Sequence, residues 1–182
     1  AFRRSGDVFA AERAARTILT VDPKSLSGAY VLAQVYGQSR RFKDVVALWL
    51  AGFTTSLAPS LVIGHFRAME REPDKLEQRI APLLDAACDW RYGGAAAGMR
   101  LTGHYRGERT VLYTRDAPAD LVTRLQLVRD PSGPIALMRA PGHLAFDSKD
   151  PRTVHPLLAY ADLLAEGHDR AREAAGELYD RF

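Results

Sequence analysis

The chain has 182 residues, 47% of them hydrophobic and 26% charged, which is ordinary for a folded globular protein. With 25 basic and 22 acidic side chains the net charge is +3, too small a surplus to demand nucleic acid as a partner. The single Cys88 excludes an internal disulfide and argues for a reducing compartment. There is no signal-peptide pattern and no apolar run approaching the ~18 residues that span a bilayer, so a cytoplasmic location is expected.

In chain order, the first predicted element is a helix of small residues, with Ala11, Ala15, Ile18 and Leu19 at helical spacing. Asp22-Pro23 ends it, because proline clashes with the preceding turn and disfavours helix in the residue before it. A second stripe follows at Ala29, Leu32, Ala33 and Tyr36, then a polar break over 37–41, then a third at Phe42, Val45, Val46 and Trp49. Residue 1 is alanine and the first helix starts partway into a unit, so the chain reads as part of a longer protein. After Trp49, Gly52, Thr54-Thr55-Ser56 and Pro59 predict a break. Ser60 then caps a predicted helix through Leu61, Val62, His65, Phe66 and Met69, which Glu72-Pro73 stops. Asp74 is the expected cap of a further helix through Leu76, Ile80, Leu83 and Leu84, kinked or broken at Pro82. These two helices read as connecting elements or a degenerate repeat.

The character changes at Trp90. Residues 90–94 predict a short strand or turn, 95–101 a helix, and 108–114 (ERTVLYT) a strand rich in β-branched and aromatic residues. An amphipathic helix is expected over 117–127, a turn over 129–133, a second strand over 134–140 and a third over 143–146. His155 reads as a helix-start residue. Helices over 156–166 and 170–182, separated by Gly167-His168-Asp169, close the chain. Strands separated by helices indicate a small mixed layer. The predicted fold class is α+β and mostly helical, with regions 1–58 (helical repeats), 59–89 (connecting helices) and 90–182 (the α/β domain).

Two resemblances follow from these residues. Gly6-Asp7, Ala11, Ala15 and Asp22-Pro23, with Leu32, Ala33, Tyr36, Phe42 and Trp49 in the next unit, resemble the tetratricopeptide repeat, a helical hairpin of about 34 residues. In it, small residues let helices approach closely and large ones fill the gap to the next hairpin. That resemblance implies a concave groove for peptide or protein recognition, on which Tyr30 and Gln34 lie one turn apart. The second is carried by Tyr92-Gly93-Gly94-Ala95-Ala96-Ala97, Leu101-Thr102-Gly103, Glu108 to Tyr113, and His155 to Gly167 with Arg172 to Tyr179. Over roughly 85–182 these blocks resemble the C-terminal domain of the AbiEi family, antitoxins of type IV toxin–antitoxin systems. The resemblance implies a regulatory role. Such proteins join a DNA-binding winged helix-turn-helix to an α/β domain that helps oppose a nucleotidyltransferase-like toxin. Here a helical repeat stands where a winged helix would. Residues 32–41 also admit a helix-turn-helix reading, from Ala33, Gly37 and Ser39, although the helix that follows is out of step.

No catalytic constellation is legible. His65, His104, His143, His155 and His168 form no ligand pair and there is no cysteine pair, so no metal and no cofactor are expected. Gly93-Gly94 before a helix suggests a phosphate cradle, but the fingerprint is incomplete and close helix–strand packing explains it. Charge is uneven: residues 1–60 carry 8 basic and 4 acidic side chains. Arg40, Arg41 and Lys43, and a second group of Arg100, Arg106 and Arg109 around the 103–107 loop, are the candidates for contact with nucleic acid or an acidic partner. The expectation is a non-enzymatic interaction protein with a protein partner; the alternative is a nucleic-acid-binding regulator using the basic N-terminal helices.

Overall fold

The computed structural model describes residues 8–22, 29, 31–32, 35, 42–70, 72–103, 105, 107 and 109–180. The chain divides into two compact units, Ala1–Pro59 and Ser60–Phe182. The predicted positions Ala33 and Tyr36, and the Gly6-Asp7 pair, lie outside the described residues.

In the first unit, α1 (Val8–Val21) turns Ala11 and Ala15 into a small core with Leu32 and Val35. Ile18, expected on the same stripe, is exposed. α2 (Phe42–Gly52) adds Val45 and Leu48 against that core. The predicted break after Trp49 is a widening of the helix rather than its end. Phe53–Leu57 form a π-helical turn that runs directly into α3 (Ala58–Leu61). The Thr54 hydroxyl donates to the Leu50 carbonyl at 2.8 Å and Thr55 to that of Ala51 at 2.6 Å, the back-bonding that competes with the regular ladder. The Trp49 and Phe53 rings stack at 4.8 Å. The continuous run Lys43–Leu61, 19 residues with mean hydropathy 1.2, reaches the length and composition of a membrane span, which the sequence reading had not expected.

The second unit is built on a five-stranded sheet of order β2-β3-β5-β1-β4: β1 (Val62–Arg67), β2 (Asp89–Gly93), β3 (Thr110–Arg115), β4 (Val128–Arg129) and β5 (Ile135–Arg139). β3 and β5 run parallel; every other pair is antiparallel. Residues 62–67 therefore correct the expected 61–69 helix. Val62, Gly64, His65 and Phe66 pair with β5, with a register shift at Ile63, and a six-residue run enclosed by Pro59 and Pro73 suits a strand better than a helix. α4 (Pro73–Ala87) begins one residue before its expected cap: Glu72 is the cap position, Pro73 opens the helix, and Asp74 lies in the first turn. The helix continues through Pro82 without a break. β1 and α4 lie within the Ser60–Phe182 unit.

Alternation in the strands divides the unit into two layers. Trp90 and Tyr92 of β2 lie beside Leu112 of β3 and Leu137 of β5, and Phe66, Ile135, Leu76, Ile80 and Leu84 complete that core. α6 (Leu121–Arg124) contributes Leu121, and Leu125 and Leu127 follow it. The expected 117–127 helix is a single turn, Leu121–Arg124, and Gln126, at a left-handed φ of 52°, follows its end. Tyr113, one residue on, points the other way, towards a helical layer of α5 (Gly94–Thr102), α7 (Pro156–Glu166) and α8 (Asp169–Tyr179). His155 and His168 cap α7 and α8, accepting from the Leu157 and Ala171 amides.

Residues 143–146 are a 3-10 turn, not a third strand. The free edge of β2 is already taken: the Tyr92 amide donates to the Arg152 carbonyl and the Val154 amide to that of Tyr92. Gly133 is fixed by space, since a Cβ there would sit 2.2 Å from the Phe66 carbonyl oxygen.

Candidate functional site

Five of the eight residues singled out in the sequence, Tyr30, Gln34, Arg40, Arg41 and Arg106, lie outside the described residues. Lys43 is exposed on α2. Arg100, in the last turn of α5, pairs with Glu77 of α4 and lies over the Tyr92 ring at 5.2 Å. Arg109 is exposed just before β3.

The Arg100 arrangement is repeated along β2. Arg152 binds Asp85 through both terminal nitrogens, at 2.5 and 2.9 Å, and lies over Trp90 at 5.3 Å, while the Trp90 indole donates to the same carboxylate. These bonds, from Arg152 first and then Trp90, hold the Asp85 carboxyl down at about 2. Arg91 and Arg115 both pair with Asp89 and both lie over Phe146, at 4.8 and 4.9 Å. Each guanidinium lies on an aromatic face and meets a carboxylate, Arg91 and Arg115 sharing Asp89, so most of the charge of this surface is neutralised internally. It fastens α4 and the 143–154 segment to the sheet edge, and offers little net charge to a phosphate backbone.

Two hollows open at the ends of the sheet. One, of about 520 Å³, is lined by Ala68, Met69, Leu76, Val128, Pro134 and Ile135, with Arg67, Glu70 and Asp130 around it. Met69 is 93% exposed and Val128, on the edge strand β4, is 50% exposed. Arg67 and Asp130 stand 3.9 Å apart, a loose surface pair. The other hollow, about 450 Å³, lies where parallel β3 and β5 end, beside Arg115, Asp116 and Arg139. The first combines a flexible, polarizable side chain, an edge strand and a polar surround, which suits a protein surface. The sequence reading missed it because it placed 61–69 on a helix. The alternative signal was the β-branched pair Val62-Ile63 before Gly64.

A third cluster is buried. α5 begins at Gly94, φ 51°, immediately after β2. Its first amide donates to Asp162 Oδ2 at 3.0 Å, and Tyr113 donates to Oδ1 at 2.9 Å. A Cβ on Gly93 would stand 2.4 Å from the same Oδ2. The place that an incomplete glycine fingerprint suggested for phosphate is therefore filled by the chain's own carboxylate, and the glycines serve close packing. Burial pushes Asp162 up to about 7, against the Tyr113 and Gly94 bonds that lower it, and the Glu166 charge adds to the rise. Burial, with the Asp162 charge and bond, also pushes Tyr113 up. Among the described residues, no group of three or more potential ligands could hold a metal ion.

Comparison with known families agrees with the C-terminal resemblance and extends it upstream. The family described as "Transcriptional regulator, AbiEi antitoxin, Type IV TA system" matches residues 38–182. The chain belongs to this AbiEi antitoxin family. The match takes in α2 and the whole sheet unit, including β1 and α4, which the sequence resemblance over 85–182 had left out. No curated protein and no solved structure matched the chain. In this AbiEi member the neutralised arginine surface, the apolar hollow and the buried carboxylates all belong to the matched region.

Proposed function

We propose that this chain is a non-catalytic antitoxin-type regulator that holds a protein partner, a nucleotidyltransferase-like toxin, on its α/β unit. The observation that carries the reading is the hollow beside Met69 and the β4 edge. Its lining mixes Ala68, Met69, Leu76 and Val128 with Arg67, Glu70 and Asp130, and it borders a strand edge able to pair with another chain. The sheet unit, with 17 basic and 18 acidic side chains, matches a protein partner better than a polyanion. The test is co-expression with such a toxin, followed by co-purification and growth rescue. Met69→Glu and Val128→Glu, both at exposed positions, should weaken capture by at least about tenfold while leaving the melting temperature unchanged. Equal capture by the wild type and both variants would sink this site, and no capture by the wild type would sink the reading.

A second reading is nucleic-acid binding by the first unit. Its surplus of basic residues, 8 against 4 acidic, and the exposed Arg13 and Arg16 on α1 favour it. Fluorescence anisotropy with short duplex DNA should show affinity that falls steeply with salt and with Arg40→Ala/Arg41→Ala. Absent or salt-insensitive binding would remove it. The repeat-like reading of the same unit is supported by α1 and α2 packing on Leu32 and Val35.

A further inference from the structure

Asp162 and Glu166 stand one turn apart on the same face of α7, and both enter the protein interior. Asp162 is sealed between β3 and the start of α5, with both oxygens accepting hydrogen bonds. The Glu166 side chain is 6% exposed. Its Oε2 accepts from the Tyr105 hydroxyl at 2.7 Å and lies 3.3 Å from His168 Nε2, the cap of α8. Tyr105 also reaches that His168 nitrogen, at 3.1 Å. Glu166 Oε1 is buried with no hydrogen-bond partner, and it faces the same turn: a Cβ on Gly94 would stand 3.5 Å from it. Two ionised carboxylates in so dry a site repel one another, and a single proton removes the repulsion.

We propose that Asp162 and Glu166 form a proton-operated latch, which seats α7 and α8 on the Gly93–Gly94 turn while it holds one proton and loosens them when that proton leaves to solvent. Facing the latch are Tyr113 from β3, the amide end of α5, Tyr105 from the segment after α5, and His168 from the α7–α8 junction. Among the described residues the one charged side chain that acts on Asp162 is Glu166. Asp162 is bonded to both β3 and the first amide of α5, so repulsion at that seat acts against the packing of α7 on them. The direction follows from linkage. Asp162 holds its proton more tightly in the folded state than in the unfolded one, so stability is full below about 4 and is lost as pH rises to about 7.

The test uses the full chain with carbon-13-labelled aspartate. The Asp162 carboxyl signal should titrate near neutral pH, not near 4. Between pH 5 and pH 8 the melting temperature should fall by on the order of 5 °C, and amide protection in Asp169–Tyr179, taken relative to the intrinsic exchange rate at each pH, should drop by about tenfold. Glu166→Gln, which removes one of the two charges, should shrink both changes and move the Asp162 titration down. Asp162→Asn should abolish them; if that variant fails to fold, the direct titration and Glu166→Gln decide. An Asp162 signal titrating near 4, or a pH step unchanged in Glu166→Gln, would overturn the latch.

Discussion

The two units handle their charges and their cores differently. The sheet unit, nearly neutral overall, pairs Arg91, Arg115 and Arg152 with Asp89 and Asp85, and Arg100 with Glu77, each guanidinium also lying on an aromatic ring. Its core contains Trp90, Tyr92, Phe66 and a set of leucines and isoleucines. The first unit rests on Ala11, Ala15, Leu32 and Val35 and carries a basic surplus. Large fully buried side chains stabilise by about 1.5–3 kcal/mol each relative to exposure, and among the described residues the sheet unit holds more of them than the helical unit. Arginine counts therefore say little by themselves: the same residue type fastens the fold in one region and stays in surplus in the other.

The comparison can be broken or sharpened by experiment. The largest effect is expected at Gly133. Gly133→Ala drives a methyl into the Phe66 backbone and should destabilise the sheet unit by roughly 3–5 kcal/mol in denaturant melts. A loss below about 1 kcal/mol would mean that this turn can shift freely. Next, Leu84→Ala in the sheet core should cost about 3 kcal/mol and Leu32→Ala about 2 kcal/mol, with α1 amides exchanging faster than those of β3 and β5. Equal costs and equal protection would erase the distinction between the units.

Smaller still is the Arg152–Asp85 pair, both partly exposed. Asp85 has its carboxyl held down at about 2, so its contribution is present above the unfolded value near 4 and disappears as pH falls through 2. Arg152→Ala should lower stability by about 1 kcal/mol or less at pH 7 and remove that acid-side dependence in melts between pH 5 and pH 2. The least effect is expected for Arg16→Ala, which breaks an exposed pair with Glu12 on α1, within about 0.5 kcal/mol.

Local chemistry was legible where it stands alone. Val111-Leu112-Tyr113 declared a strand, residues 95–101 a helix directly after the Gly93-Gly94 pair, and His155-Pro156 a helix start, because each rests on backbone preferences of a few adjacent residues. The glycine and leucine blocks carried the AbiEi resemblance for the same reason. What was not legible depended on partners far along the chain. Val62–Arg67 is a strand because β5 lies beside it, and 143–146 is not one because Arg152–Val154 already holds the β2 edge. Arg100 read as a candidate contact for nucleic acid or an acidic partner, whereas in the fold Glu77 and the Tyr92 ring engage it. The hollow at Met69 exists only once β1 and β4 are paired.

The sequence by itself determined the α+β class, the punctuation of the helices and the small residues that permit close approach. Tertiary structure decided which charges are free, which carboxylate fills the glycine turn, and where an apolar surface remains open. The physical reason is reach. Propensity and periodicity act over a turn or two, whereas desolvation and charge pairing depend on which distant side chains arrive: Asp162 is an ordinary helix residue in sequence and a proton-binding group only where Tyr113 and Gly94 enclose it.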